Sequence, residues 1–181
     1  MGTKVVLKNV RFSYCNLFKA RAMDENAKPK FSVSLIIPKD HPQLPEVKAA
    51  IKAETEAKWP DPKKRPGGLH NPLRDGDADR PNDAAYAGCF FVNASTNVDN
   101  PPGVVDYKLG KVTDLTYWNS GDYGNASVNF YPFDVSAKKG VACGLNAVQF
   151  VDKGEPLGGR GNVLADFDVV EGSGATDSAF D

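Results

Sequence analysis

Histidine is scarce in this chain, cysteine falls short of a disulfide framework, and long hydrophobic runs are missing; each shortage closes off a class of proteins. The two histidines, His41 and His70, stand apart from every cysteine, so no set of ligands suggests a structural zinc site. The three cysteines, Cys15, Cys89 and Cys143, are odd in number, widely spaced and without a C-x-x-C pair, the pattern of reduced thiols. No run approaches the ~20 apolar residues that a membrane-spanning helix needs, and residues 1–14 hold no apolar segment of signal-peptide type. The expectation is an intracellular protein with no membrane partner and no cofactor.

Net charge is also nearly absent, with 22 basic against 23 acidic residues, but its distribution is uneven. Every basic residue lies at or before Arg160, which leaves residues 1–160 at a net charge of +4, while residues 161–181 carry five acids and no Lys or Arg. A mildly basic body with an acidic tail is the result. With 41% apolar and 25% charged residues over 181 positions, the body has the composition of one ordinary globular domain. Residues 1–170 are expected to form that domain. Residues 171–181 (EGSGATDSAFD) have the glycine, serine and acidic character of a disordered tail.

Alternating apolar residues predict a mainly β fold with one helix and long loops. Residues 3–14 read as a strand with Val6, Val10, Phe12 and Tyr14 on one face, an imperfect alternation that a bulge would explain. Residues 30–37 (KFSVSLII) are a second strand. Leu44, Val47 and Ile51 recur at helical spacing and predict a helix over about residues 43–58. Residues 61–84 are polar and rich in Pro and Gly, a long loop. In that loop Asp75, Asp77 and Asp79 open like a calcium site, but Arg80 stands where glycine is required and Tyr86 where glutamate is, so calcium is rejected. Residues 86–96 form a third strand. A hairpin follows, with one arm over residues 125–137, a Lys138-Lys139-Gly140 turn, and a second arm over residues 141–151. Residues 163–170 are read as a last short strand.

The hairpin and its surroundings hold more rings than a core can absorb. Val128 and Phe130 point one way along the first arm, and Tyr131 and Phe133 the other. Tyr117, Trp118 and Tyr123 sit in or beside a glycine-containing loop. Lys63, Lys64, Arg65, Lys108, Lys111, Lys138, Lys139 and Arg160 lie on turns and loops around them. Exposed rings beside cations are what unpaired nucleic acid requires, with stacking surfaces for bases and charge for phosphates. Two other readings compete: a structural barrel or virion component whose rings make protein contacts, and a metal-dependent nuclease using the aspartates of residues 75–79. Single-stranded RNA binding shares the same physics.

Several segments resemble the bacteriophage single-stranded DNA-binding proteins built on an OB-fold: LRDGDADRP (residues 73–81), YAGCFFVNAS (86–95), YWNSGDYGNASVNFYPFD (117–134) and KKGVACGLNAVQFVDKGEPLGG (138–159). The resemblance implies a five-stranded Greek-key barrel with additional strands. It implies a non-enzymatic protein that coats single-stranded DNA during phage replication, recombination and repair in the cytoplasm of the infected bacterium. It also implies a tail that contacts replication proteins, here ending in Asp177, Phe180 and Asp181. Oligomeric state is left open, a homo-oligomer included.

Overall fold

The computed structural model describes residues 2–22, 24–114, 117–135 and 137–157. Arg160, the strand expected over residues 163–170 and the tail lie outside the described residues, as does the domain boundary expected at residue 170. The elements in chain order are β1 (Thr3–Arg21), β2 (Lys30–Pro38), α1 (Leu44–Lys58), β3 (Leu73–Asp75), α2 (Gly76–Asp79), β4 (Cys89–Asn97), β5 (Gly103–Val105), β6 (Tyr123–Val135) and β7 (Lys138–Asp152). They form a sheet of order β3-β4-β2-β1-β6-β7-β5. A parallel contact between β4 and β7 at Ser95 and Gly144 closes β1, β2, β4, β7 and β6 into a five-stranded barrel. Short β3 and β5 are added outside it, so the expected fold class is the observed one.

The barrel interior is filled from alternate positions. Along β6, Gly124, Ala126, Val128 and Phe130 are buried while the residues between them are partly exposed. Helix α1 packs on β1, β6 and β7 with Leu44, Val47, Ala50 and Ile51 buried, each large aliphatic side chain adding about 1.5–3 kcal/mol on removal from water. Its register on the barrel is set by Gln43, whose Oε1 accepts from the Lys8 amide at 2.7 Å and whose Nε2 donates to the Val6 carbonyl at 2.8 Å.

Bulges correct the alternation expected from sequence. In β1 the pairing shifts between Leu7 and Val10, around Asn9 at φ 58°. Val5 and Leu7, then Val10 and Phe12, therefore face inward, while Val6 and Tyr14 are 42% and 52% exposed. In the hairpin, a shift between Ser127 and Val128 leaves Asn146 exposed. The inward set is consequently Val141, Cys143 and Leu145 followed by Val148 and Phe150, a change of phase across Asn146. Lys138 and Lys139 are not in the turn, because they pair with Val135 and Asp134 as the first residues of β7.

Residues 61–88 hold more structure than a loop. Asp61, Asp75 and Asp83 each accept a hydrogen bond from the amide two residues on and so start the 3-10 turn Pro62–Lys64, α2 and the 3-10 turn Ala84–Tyr86, the favoured use of Asp at an N-cap. Asp75 and Asp77 also hold Lys39, at 3.1 and 2.7 Å, so the acidic run is spent on architecture. Tyr86, expected in the strand, ends a 3-10 turn instead. It buries with Ile36 and Phe91 in a second small core outside the barrel, its hydroxyl 3.0 Å from Ser34 Oγ.

The same segment is clipped to the hairpin at His70. The His70 amide donates to the Lys139 carbonyl at 2.8 Å, and the Val141 amide donates to the His70 carbonyl at 3.0 Å. Between them lies Gly140, at φ 154°, where a Cβ would come within 2.4 Å of the His70 backbone. Gly140→Ala is therefore expected to lower stability by more than about 1 kcal/mol. Gly67→Ala, whose Cβ would meet nothing within 4 Å, should stay within about 0.5 kcal/mol; urea denaturation of the two variants measures the difference.

Candidate nucleic-acid interface

A row of small side chains crosses the outside of the barrel. Register places Asn16 beside Ser32, Ser32 beside Ser95, Ser95 beside Gly144 and Gly144 beside Asn129. Four strand-to-strand steps at ~4.8 Å give this floor a length of about 19 Å, measured around the curved outer surface of the barrel. In the adjoining row Ser13 and Ser34 are buried, Ser34 beneath the Tyr86 hydroxyl, and Asn93 is exposed. Short polar groups leave a shallow trough that larger side chains border on both sides.

On the β6–β7 side the border is aromatic and cationic. The Tyr131 ring lies close above Gly144, since a Cβ there would come within 3.3 Å of ring carbon Cε1. Burial, followed by the Cys143 sulfur, raises the Tyr131 hydroxyl above its usual range, which leaves a neutral ring. Phe133 pairs with Gly140 and its ring centre is 6.0 Å from that of His70. Lys139 reaches Asp134 at 3.6 Å, and exposed Lys138 makes no ion pair among the described residues. Lys63 and Lys64 are exposed at the start of the loop that reaches His70, whereas Arg65 donates its Nε to the Trp59 carbonyl at 2.8 Å.

The opposite border was not legible in the sequence. Tyr14 stands in the second bulge of β1, between Ser13 and Asn16, at φ 48°, a conformation that costs a bulky residue on the order of 1–3 kcal/mol. The Arg80 guanidinium lies between two rings, 5.1 Å from the centre of Tyr14 and 4.5 Å from that of Tyr86. It donates to the Tyr14 hydroxyl at 2.6 Å and to Asp83 at 3.3 Å. Beside it, Tyr14, Asn16, Arg21, Asp83 and Ser120 line a depression of about 350 Å³. The broken alternation of β1 was the only sequence signal for this side.

The remaining expected residues lie elsewhere. Trp118 is a correction: it is 3% exposed, stacked on Phe12 with ring centres 4.6 Å apart and meeting Phe150 edge-on, so no base reaches it. Tyr117 packs on Phe150 at 5.0 Å, with Lys153 Nζ over its ring. Tyr123 is 36% exposed under the Arg11 guanidinium, 5.5 Å from its centre. Lys108 and Lys111 are exposed on the turn after β5. Tyr123 is ten residues from Phe133 along β6, or about 34 Å at ~3.4 Å per residue. The candidates thus divide between the two ends of the hairpin: Tyr131, Phe133, Lys138 and Lys139 adjoin the β6–β7 side of the floor, and Tyr123, paired with Arg11 three residues before Tyr14, lies toward its other side. Arg160, Asp177, Phe180 and Asp181 lie outside the described residues.

A sequence model described as Enterobacter phage Enc34, ssDNA-binding protein, matches residues 3–179. The chain belongs to the Enc34 ssDNA-binding protein family. Protein p50 of Acyrthosiphon pisum secondary endosymbiont phage 1 is 34% identical over 169 residues, covering 87% of this chain and 88% of p50. Among solved structures, the single-stranded DNA-binding protein from bacteriophage Enc34 in complex with ssDNA aligns with a TM-score of 0.76 at 20% identity, over 86% of this chain and 89% of that one. The single-stranded DNA-binding protein gp2.5 of bacteriophage T7 aligns with a TM-score of 0.63 at 16% identity, over 95% and 98%. At such identities these likenesses establish the shared barrel.

Within this Enc34-family barrel, Trp118 and Tyr131 have opposite environments, and their truncations should separate. Trp118→Ala opens a cavity against Phe12 and Phe150 and is expected to cost about 3–5 kcal/mol of stability. Tyr131→Ala, on the half-buried outer face, should cost well under half of that. Thermal denaturation of both variants checks the contrast.

Proposed function

We propose that this chain coats single-stranded DNA without strong sequence preference, during phage replication, recombination and repair in the cytoplasm of the infected host. Bases lie along the Asn16–Asn129 floor, bordered by Tyr131 and Phe133 on one side and by Tyr14 with Arg80 on the other. The carrying observation is that side by side in this trough lie ring faces, which accept any base, and a floor of short polar groups, which blocks none. Membership of a family described as ssDNA-binding supports the same reading. Phosphate charge is met by Lys138, Lys139, Lys63 and Lys64. Four such contacts at about -0.7 each give a salt slope near -3, shallow for a nucleic-acid-binding protein. Tyr123, paired with Arg11 three residues before Tyr14, lies toward the Tyr14 border, while Tyr117, Lys108 and Lys111 lie off the Asn16–Asn129 row.

The protein acts by binding, not by catalysis: Asp75 and Asp77 are engaged by Lys39, and Asp79 by Arg74 at 3.1 Å. Residues 1–170 serve as the DNA-binding unit. Residues 171–181, with Asp177, Phe180 and Asp181, serve as a docking segment for replication proteins.

Fluorescence anisotropy of a labelled thymidylate oligonucleotide, at two salt concentrations and with duplex as competitor, tests this reading. Duplex should fail to displace the single strand. Tyr131→Ala and Phe133→Ala should each weaken binding by about 1–3 kcal/mol, or roughly 5- to 150-fold. Lys108→Ala and Lys111→Ala, on the turn after β5 and off the Asn16–Asn129 row, should weaken it less than either ring truncation. No binding at low salt would overturn the proposal.

A further inference from the structure

We propose that the cleft between residues 66–70 and the start of β7 seats one phosphodiester of the bound strand, held by the Lys138 ammonium and the His70 imidazole. This rests on the single-strand reading above and adds a ligand, His70, and a pH response to it. The cleft measures about 480 Å³ and is lined by Pro66, Gly67, Gly68, His70, Lys138 and Lys139, with Ala137 at its end. A Cβ added at Gly67 or Gly68 would meet nothing within 4 Å, so the loop side of the cleft is open to an incoming chain. Phe133 adjoins His70, which places a stacked base beside the seat.

The charge around the cleft suits an anion. β7 contributes Lys138 and Lys139, and β3 contributes the Arg74 charge, which acts on His70. Asp134 of β6 is engaged by Lys139, Asp79 of α2 by Arg74 and Asp75 of β3 by Lys39, and residues 66–68 bring no ionisable group. The position of His70 is fixed through its backbone, which bonds to Lys139 and Val141 across Gly140. Its imidazole is therefore free to change protonation without releasing the clip.

In the free protein, burial first, then the Arg74 and Lys138 charges, hold the His70 imidazole below its ordinary value of 6.5, so it is neutral at pH 7. A phosphate in the cleft favours the charged form and raises that value in the complex. The sign follows by linkage: affinity rises as pH falls through the complex's value and levels off below the free protein's value, which itself lies under 6.5. A rise of about one unit on binding corresponds to about tenfold in affinity. The other histidine, His41, has its Nε2 on the Lys8 carbonyl at 2.7 Å and its Nδ1 accepting from the Gln43 amide at 3.1 Å, away from the cleft.

The experiment titrates the full chain with a thymidylate oligonucleotide between about pH 8 and about pH 5, around the ordinary histidine value, at constant ionic strength. Wild type should gain several-fold to tenfold in affinity on acidification, and His70→Gln, which keeps the backbone clip, should lose that gain while its thermal midpoint stays near wild type. In parallel, proton NMR of the His70 imidazole should show its titration displaced upward by the phosphodiester oligonucleotide and not by one with uncharged methylphosphonate linkages. An equal pH gain in His70→Gln, or a His70 titration identical with and without oligonucleotide, overturns the inference and leaves single-strand binding standing. Failure of wild type to bind at every pH overturns the parent reading instead.

Discussion

The barrel depends on one contact, the parallel approach of β4 and β7 at Ser95 and Gly144. Among the described residues this is the pair at which the two ends of the five-stranded run are bridged, and a parallel pair cannot be made by a tight hairpin, so the intervening chain must wrap around the outside. At the same position Gly144 makes room for two side chains of β6, Asn129 and Tyr131, which lie 3.3 Å from where a Cβ would project. The same glycine that closes the core thus draws Tyr131 down onto the outer face. Closure and candidate interface are two sides of one residue.

From that closure the outer face acquires its asymmetry. Residues 61–88 are anchored outside β2 and β4 by Tyr86, Ile36 and Phe91 and clipped to β7 at His70, so they cover one half of the outer surface and leave the Asn16–Asn129 row open. Arg80 and His70 belong to this single segment and emerge at its opposite ends. Tyr14 is held by the first and Phe133 adjoins the second. The segment therefore sets the positions of both borders of the trough, although little of it reads as regular structure.

Much of the architecture was legible because it rests on local periodicity. Helix α1 announced itself through Leu44, Val47 and Ile51, and the outward placement of Tyr131 and Phe133 followed from strict alternation against Val128 and Phe130. What alternation cannot carry is a bulge, which changes phase without a distinctive residue: Asn9 and Asn146 look like ordinary polar strand residues, yet they move Val6 outward and Val148 inward. Trp118 was misplaced for a different reason. A tryptophan beside a glycine-containing loop can face either way, and only Phe12, more than a hundred residues earlier, decides that it turns inward. Tyr14 and His70 were missed because their surroundings are built entirely from distant chain.

Electrostatics then decides how such a face can act. Several cations near the trough are already committed: Lys39 to Asp75 and Asp77, Arg74 to Asp79, Arg80 to Asp83 and Lys139 to Asp134. These pairs are exposed or half-exposed, so they contribute little to stability, but they cancel the field that would otherwise draw any polyanion, duplex included. Lys63, Lys64, Lys138, Arg21 and Lys30 make no ion pair among the described residues, which leaves a modest rather than a strongly cationic face. Selectivity for a single strand then follows without base-specific contacts. On the proposed reading, only unpaired bases can present their faces to Tyr131 and Phe133, and stacking of that kind is available to every base and denied to a paired one.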